Sequence, residues 1–402
     1  MANGVMGAPL EPDARGALSN EKNPSAIVDR MMAFALETCA SDIHAEPTRE
    51  GLRIRFRVDG VLQDIDLLDV SYSSSVVARL KVLSDLLTYR TDIPQEGRIK
   101  SERYGGSVDL RVSTFPTIHG EKAVVRIFDP ENKTFDLQGL GFPPHVLETL
   151  HAHLPRPQAV LLLTGPSGSG KTTTLYSCLN HILNRSLIPR NIVTIEDPVE
   201  YDLPGVTQTQ INVPAGLTFA SGLRSLLRQD PEVIMVGEIR DPETARIAIE
   251  SGLTGHLVLS TIHAGTACGV FSRLLDMGIE PYLITSAVNM VLAQRLVRAL
   301  CAACKVEGSI DPNDRVAARA GRVFEAHGCE HCSFLGYRGR RPVVEILRVD
   351  EAVRQAVLCR ADREALHKAA ADSGARTLLD HAVTMVREGV TSVAEVRRVI
   401  VA

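Results

Sequence analysis

Eight residues, Gly165-Pro166-Ser167-Gly168-Ser169-Gly170-Lys171-Thr172, follow an apolar run at 159–163 and open a helical pattern. A strand feeding a glycine-rich turn and then a helix is the arrangement that cradles nucleotide phosphates. The glycines let backbone N–H groups close around phosphate oxygens, and the helix start adds its positive dipole end. Lys171 is placed to neutralise the β- and γ-phosphates and the Thr172 hydroxyl to ligate Mg²⁺, with Thr173 next in line. ATP and Mg²⁺ are the expected nucleotide and ion.

Carboxylates stand at the ends of two further apolar runs. The run at 233–236 ends in Gly237-Glu238, and Glu238 is the expected residue to polarise water. Gly237 occupies the place where an Asp often sits, so Mg²⁺ contact is expected to be indirect or to come from elsewhere. The run at 191–195 ends in Glu196-Asp197-Pro198-Val199-Glu200, three carboxylates that a parallel sheet would bring to the nucleotide edge. A fourth run at 257–259 lies between His256, read as structural, and His263, on the edge where the carboxylates emerge. Asp241-Pro242 reads as a helix cap. Arg224, Arg228 and Arg240 surround the second carboxylate strand, and Arg53, Arg55, Arg57, Arg98, Arg111 and Arg126 cluster earlier; such a set can stabilise phosphate charge across a domain or subunit boundary.

Cys301-x-x-Cys304 and Cys329-x-x-Cys332, 24 residues apart, have the two-pair spacing of a zinc site. Four thiolates close a tetrahedron and leave no open position, so structural Zn²⁺ is expected, with His327 and His331 as unneeded neighbours.

The elements that must position these residues fall into two groups. Leu52 to Val58 alternates strictly between apolar residues and arginines, Asp59-Gly60 is a tight-hairpin dipeptide, and strand-like runs recur at 107–113 and 123–128. We assign 1–22 to a flexible leader, 23–130 to an α+β domain that starts at Asn23-Pro24, and 131–136 to a linker. Residues 137–402 then alternate short buried runs with helical patterns. This predicts an α/β phosphate-loop domain with a parallel sheet, carrying a zinc module at about 297–340 and a helical part at 350–402.

The 402 residues carry 44 basic and 48 acidic side chains, and only 17 are aromatic, none of them Trp. A net charge of −4 gives no global basic field for nucleic acid. No apolar stretch is long enough to span a membrane, and no secretory signal opens the chain. A cytoplasmic protein is expected.

Several long motifs in order resemble the secretion ATPases of type II secretion and type IV pilus assembly (the GspE/PulE/PilB family). They are Ala40-Ser41-Asp42-Ile43-His44-Ala45-Glu46-Pro47, Arg55 to Gly60, Arg111-Val112-Ser113-Thr114, the phosphate loop extended through Tyr176, Ile195 to Tyr201, Leu223 to Pro231, Gly237 to Asp241, Thr254 to His263, Gln294 to Arg298 and the cysteine pairs. The resemblance implies a homo-hexamer with a RecA-like core, an Asp box at 196–200, a Walker B segment at 233–241 and a His box at 254–263. Glu238 with Glu196 would orient water, His263 would sense the γ-phosphate, and Arg240 would add charge. Asp197, Glu200, Arg98 and Arg111 would join the phosphate loop in holding nucleotide. It implies a motor that assembles pilin-like subunits, peripheral to the inner membrane through a platform protein. The tetracysteine module looks like the assembly branch. Longer members carry a further N-terminal domain that docks on a membrane protein; a short leader is expected here instead. After His263 the sequence reads Ala264-Gly265 where that family commonly has Thr-Asn. A nucleotide-binding regulatory scaffold with little turnover and a nucleic-acid motor are the alternatives, and the charge and aromatic content weigh against the second.

Overall fold

The computed structural model describes residues 18–99, 108–128, 135–186 and 188–401. Most of the expected leader, Ser107 of an expected strand and residues 129–134 around the expected linker lie outside the described residues. The described residues form two compact units: one holds those before residue 129 together with Leu300–Val306 and Glu325–Gly339, and the other holds the remainder.

In the first unit, α1 (Pro24–Glu37) begins where the Asn23 side chain accepts a hydrogen bond from the Ser25 N–H at 2.9 Å and Pro24 takes the first helical position. Its buried residues Ile27, Val28, Met31, Met32 and Ala35 follow helical spacing. Then come β1 (Asp42–Pro47), β2 (Leu52–Val58), β3 (Val61–Leu68), α2 (Ser73–Leu83), β4 (Gln95–Ile99), β5 (Asp109–Thr117) and β6 (Gly120–Phe128). They form a sheet of order β3-β2-β1-β6-β5-β4 with antiparallel neighbours. Leu52, Ile54, Phe56 and Val58 are buried on one face of β2, where Phe56 meets Phe34 with ring centres 5.6 Å apart. The intervening arginines stand on the other face. Asp59 and Gly60 both have positive φ (49° and 83°), as a two-residue type I′ turn requires.

The second unit contains α3 (Pro144–His153), β7 (Ala159–Thr164), α4 (Lys171–Arg185), β8 (Ile192–Glu196), β9 (Thr207–Gln210), α5 (Phe219–Leu226), β10 (Val233–Ile239), α6 (Pro242–Ser251), β11 (Leu257–Ile262), α7 (Ala267–Asp276), α8 (Pro281–Ala287) and β12 (Val288–Leu300). After it follow β13 (Val306–Glu307), α9 (Arg315–Ala320), β14 (Phe324–Glu325), β15 (Tyr337–Arg348), α10 (Glu351–Leu358), α11 (Arg363–Asp372), α12 (Leu378–Arg387) and α13 (Val393–Val396). The main sheet has order β15-β12-β7-β11-β10-β8-β9, and the pairs from β12 to β9 are parallel.

Alternate residues of the same strands serve two cores. Val160, Leu162, Ile234, Val236 and Val258 enter one; Leu161, Leu163, Val233, Met235 and Leu259 enter the other. A sheet buried on both faces explains why these strands read as continuous apolar runs without alternation. The order also places the carboxyl ends of β7, β8, β10 and β11 on one edge, where the phosphate loop and the three expected functional strand ends emerge.

Candidate nucleotide site and metal centre

The loop between β7 and α4 is fixed by its glycines and by one glutamine. Gly165, Gly168 and Gly170 have φ of 154°, 73° and 86°. A Cβ on Gly165 would stand 2.4 Å from the Gln294 carbonyl oxygen, so only glycine lets the loop pass β12 this closely. Gln294 is buried: its Nε2 donates to the Ser169 carbonyl at 2.8 Å, and its Oε1 accepts from the Thr174 hydroxyl at 2.9 Å. Lys171 donates to the carbonyls of Gly165 and Pro166, both at 2.9 Å. Burial pulls its pKa down, Glu238 opposes that, and Arg295 adds to it. Pro166, Ser167, Gly168 and Thr172 are exposed at the loop rim, and the Thr173 carbonyl accepts from Ser177 at 2.9 Å.

Three of the expected residues meet at the ends of β10 and β11. Glu238 Oε1 pairs with Arg240, and Oε2 lies 3.6 Å from His263 Nε2. The hydrogen bond from Arg240 to Glu238 holds the guanidinium pKa above its ordinary value, and the charge of Asp197 adds to that. Glu238 is 15% exposed while His263 is 56% exposed, so a half-buried carboxylate carries an accessible ring. The Thr261 hydroxyl donates to the Gly237 carbonyl at 2.8 Å and ties the two strand ends together. A Cβ on Gly237 would meet the Ile195 carbonyl oxygen at 3.3 Å, which makes that position a crowded one for an Asp. Asp241 caps α6, accepting from the Thr244 N–H at 2.8 Å. His256 bonds the Ser251 carbonyl at 3.0 Å through Nδ1, as a structural histidine does.

Glu196 sits differently. It is 3% exposed and accepts from the hydroxyls of Tyr176 and Thr194 and from Gln208 Nε2 at 3.0 Å. Burial, then the bond to Glu196, pushes the Tyr176 pKa far up, so the phenol stays a donor. The cluster joins α4 to β8 and β9. Asp197 is exposed beyond it, and the Glu200 N–H donates to the Tyr176 hydroxyl at 3.4 Å. Sequence reasoning assigned no role to Gln294, Tyr176 or Gln208. The first two lie in stretches that carry the family resemblance, and Gln294 is also a lone amide closing the apolar run Val291-Leu292-Ala293; Gln208 left no signal.

In the first unit, cross-strand register sets Arg98, Arg111, Arg126, Asp42 and Arg57 in one row. Asp42 takes Arg126 at 3.0 Å and Arg57 at 3.5 Å. Arg111 lies over the Phe128 ring at 4.6 Å and 3.7 Å from Asp109. Arg98 is exposed and makes no ion pair among the described residues.

The four cysteine sulfurs lie within 4.8 Å of one another. The pairs Cys301–Cys329, Cys304–Cys332 and Cys329–Cys332 are 3.9, 3.7 and 3.9 Å apart, close to the ~3.8 Å edge of a tetrahedron with Zn–S bonds of about 2.3 Å. Backbone N–H groups of Gly328 and Gly336 donate to Cys304 and Cys332 at 3.3 and 3.2 Å, bonds that would stabilise negative charge on the sulfurs. The residues present therefore fit Zn²⁺. His331 is engaged by Arg338 instead, at 2.6 Å to Nε2. Leu335 packs into the core of the first unit and Gly339 N–H donates to Asp59 Oδ2 at 2.8 Å, so the cysteine segments dock on the hairpin of that unit.

The family model for type II/IV secretion system proteins matches residues 19–398. The chain belongs to this family. It is 45% identical over 378 residues to the type II secretion system ATPase E of Vibrio cholerae, which covers 93% of this chain and 74% of that one. It is 39% identical over 396 residues to the type IV pilus assembly ATPase PilB of Thermus thermophilus, covering 97% of this chain and 43% of that one. Among solved structures, the Legionella pneumophila ATPase DotB aligns with TM-score 0.67 at 23% identity over 94% of this chain and 96% of that one. The pilus retraction motor PilT with bound ADP aligns with TM-score 0.61 at 23% identity over 92% and 95%. The likeness is one of fold: a RecA-like phosphate-loop core preceded by a smaller α+β unit. The family is one of secretion ATPases, which implies ATP hydrolysis. Among the described residues, no helix is long and apolar enough to cross a membrane.

Proposed function

We propose that this chain hydrolyses ATP as a protein-secretion or pilus motor, and that the cluster of Glu238, His263 and Arg240 beside the phosphate loop performs the chemistry. The observation that carries the reading is that cluster: a carboxylate held between a guanidinium and an accessible imidazole, acting electrostatically on Lys171. Residues Gly165 to Thr173 hold the triphosphate. Thr172 offers a hydroxyl that would hold Mg²⁺, while Gly237 offers no carboxylate for it. When bound, Mg²⁺ would supply positive charge that offsets the charge developing on the phosphates. Glu238 orients the attacking water, and His263 registers the γ-phosphate at the strand end. Glu196, expected beside Glu238, is given a positioning role through Tyr176 and Gln208, because all its described hydrogen bonds go to protein donors. Asp197 and Glu200 line the same strand end. Arg98 and Arg111, which stand in the same row as Asp42 but do not pair with it, are proposed to meet phosphate in the same or a neighbouring copy.

The cellular setting we propose is a cytoplasmic homo-hexamer at the inner membrane, bound there through a platform protein and driving assembly of pilin-like subunits. The names of the relatives, a type II secretion ATPase from Vibrio cholerae and a type IV pilus assembly ATPase from Thermus thermophilus, support a secretion or pilus role. Steady-state phosphate release by the full chain with Mg·ATP tests the reading. Turnover that disappears in Lys171→Ala is expected; ATP binding without phosphate release would favour the regulatory scaffold.

A further inference from the structure

Glu345, on β15, is a buried carboxylate outside the cluster described above, 6% exposed. Its Oε1 accepts from the Ala267 N–H at 3.1 Å and its Oε2 from the Leu378 N–H at 3.2 Å. These are the first helical residues of α7 and α12, and each helix has its own cap besides: Thr266 accepts from Gly269 N–H and Thr377 from Asp380 N–H. A single side chain thus serves two helix N-termini, where positive dipole ends favour an anion. Burial pushes the carboxyl pKa up; the two N–H bonds, His367 and Arg295 oppose it.

One of those N-termini belongs to the turn that follows His263. Four residues after the imidazole, Ala267 is held by Glu345. Between them the Ala264 N–H and carbonyl both bond the Thr164 hydroxyl at 2.9 Å, and the Gly265 carbonyl accepts from Arg295 Nη2 at 2.8 Å. Thr164 directly precedes Gly165, so the turn is wired to the phosphate loop on one side and to Glu345 on the other. The wiring uses backbone atoms, which explains how Ala264-Gly265 can stand without polar side chains.

We propose that Glu345 is a positioning residue for ATP turnover, holding the His263 turn and the N-terminus of α12 in fixed relation so that the C-terminal helices and the γ-phosphate side of the site move together. The proposal rests on the ATPase reading given above. In E345Q the amide can accept only one of the two N–H groups at a time and sets its own NH₂ against the other, so neither orientation holds both helix ends and both loosen as the amide flips. The full chain and E345Q are compared by steady-state kinetics and by hydrogen exchange, with E345D, which keeps the charge on a shorter arm, as the variant to fall back on. The expected result is kcat down about tenfold with KM within about twofold, together with faster exchange in both segments 264–269 and 376–380. Unchanged kcat in folded E345Q, or faster exchange in one segment alone, would overturn the proposal. A parent protein that releases no phosphate sinks the ATPase reading instead, and the paired exchange then still decides whether Glu345 links the two segments.

Discussion

His263 Nε2 stands 3.6 Å from Glu238 Oε2, across the ends of two neighbouring parallel strands. Sequence spacing separates the two by 25 positions; strand order brings them together, and the Thr261 hydroxyl on the Gly237 carbonyl ties the two ends where the pairing register shifts. In the function proposed above, this pairing would let the ring report on the group that orients water. His263→Gln is expected to lower kcat about tenfold while leaving the dissociation constant for Mg·ATP within about twofold, since the ring is not part of the phosphate loop. Equilibrium binding beside steady-state turnover checks it.

Gln294 predicts a loss that begins with stability. Gln294→Ala leaves the Ser169 carbonyl and the Thr174 hydroxyl without their buried partner, at a cost of about 1–3 kcal/mol. The thermal midpoint should fall and nucleotide affinity with it, because the loop loses its brace against β12. Calorimetry on the free and nucleotide-bound protein reads both effects.

Metal analysis of purified, reduced protein should find one Zn²⁺ per chain. Cys329→Ser should lower that content and the thermal midpoint together, because the closed site couples metal binding to folding of the cysteine segments. The loss should appear first in protease sensitivity around residues 301–335. Metal content that stays at one per chain in the variant would contradict the tetrathiolate site.

Acid should destabilise the fold in two stages. Burial, first of all, lowers the His381 pKa from 6.5 to about 4, so the unfolded chain binds more protons between those values and stability declines as pH falls through that range. Although burial alone would raise it, bonds from Arg398 and Arg298 hold Glu395 at about 2 against an ordinary 4.5. Its contribution, about 3 kcal/mol, is present above pH 4.5 and lost as pH falls toward 2. Glu395→Gln should remove that second stage and lower stability at neutral pH, as urea titrations at pH 7, 4 and 2.5 would show.

Much of this was legible in the chain, for identifiable reasons. The buried parallel strands β7, β8, β10 and β11 are short apolar runs because both faces are covered, and β2 alternates because only one is. The phosphate loop and the cysteine pairs carry their chemistry in local spacing. What stayed hidden depends on pairing. β1, with apolar Ile43 and Ala45 between Asp42, His44 and Glu46, is too short and charged to announce itself as a central strand. β15 opens on exposed arginines, and β12 mixes buried and half-buried positions without a clean period. Nothing near Glu196 in sequence indicates that Tyr176 and Gln208 enclose it. The cysteine segments belong to the first compact unit although they interrupt the second in sequence, which only the docking of Leu335 and Gly339 reveals.

If Glu238 orients the water that attacks the γ-phosphate, as proposed, single-turnover hydrolysis by Glu238→Gln will expose it. Mg·ATP should bind about as tightly as to the parent, with the chemical step slowed at least about a hundredfold. Hydrolysis at the parental rate by this variant, with ATP bound, would contradict it.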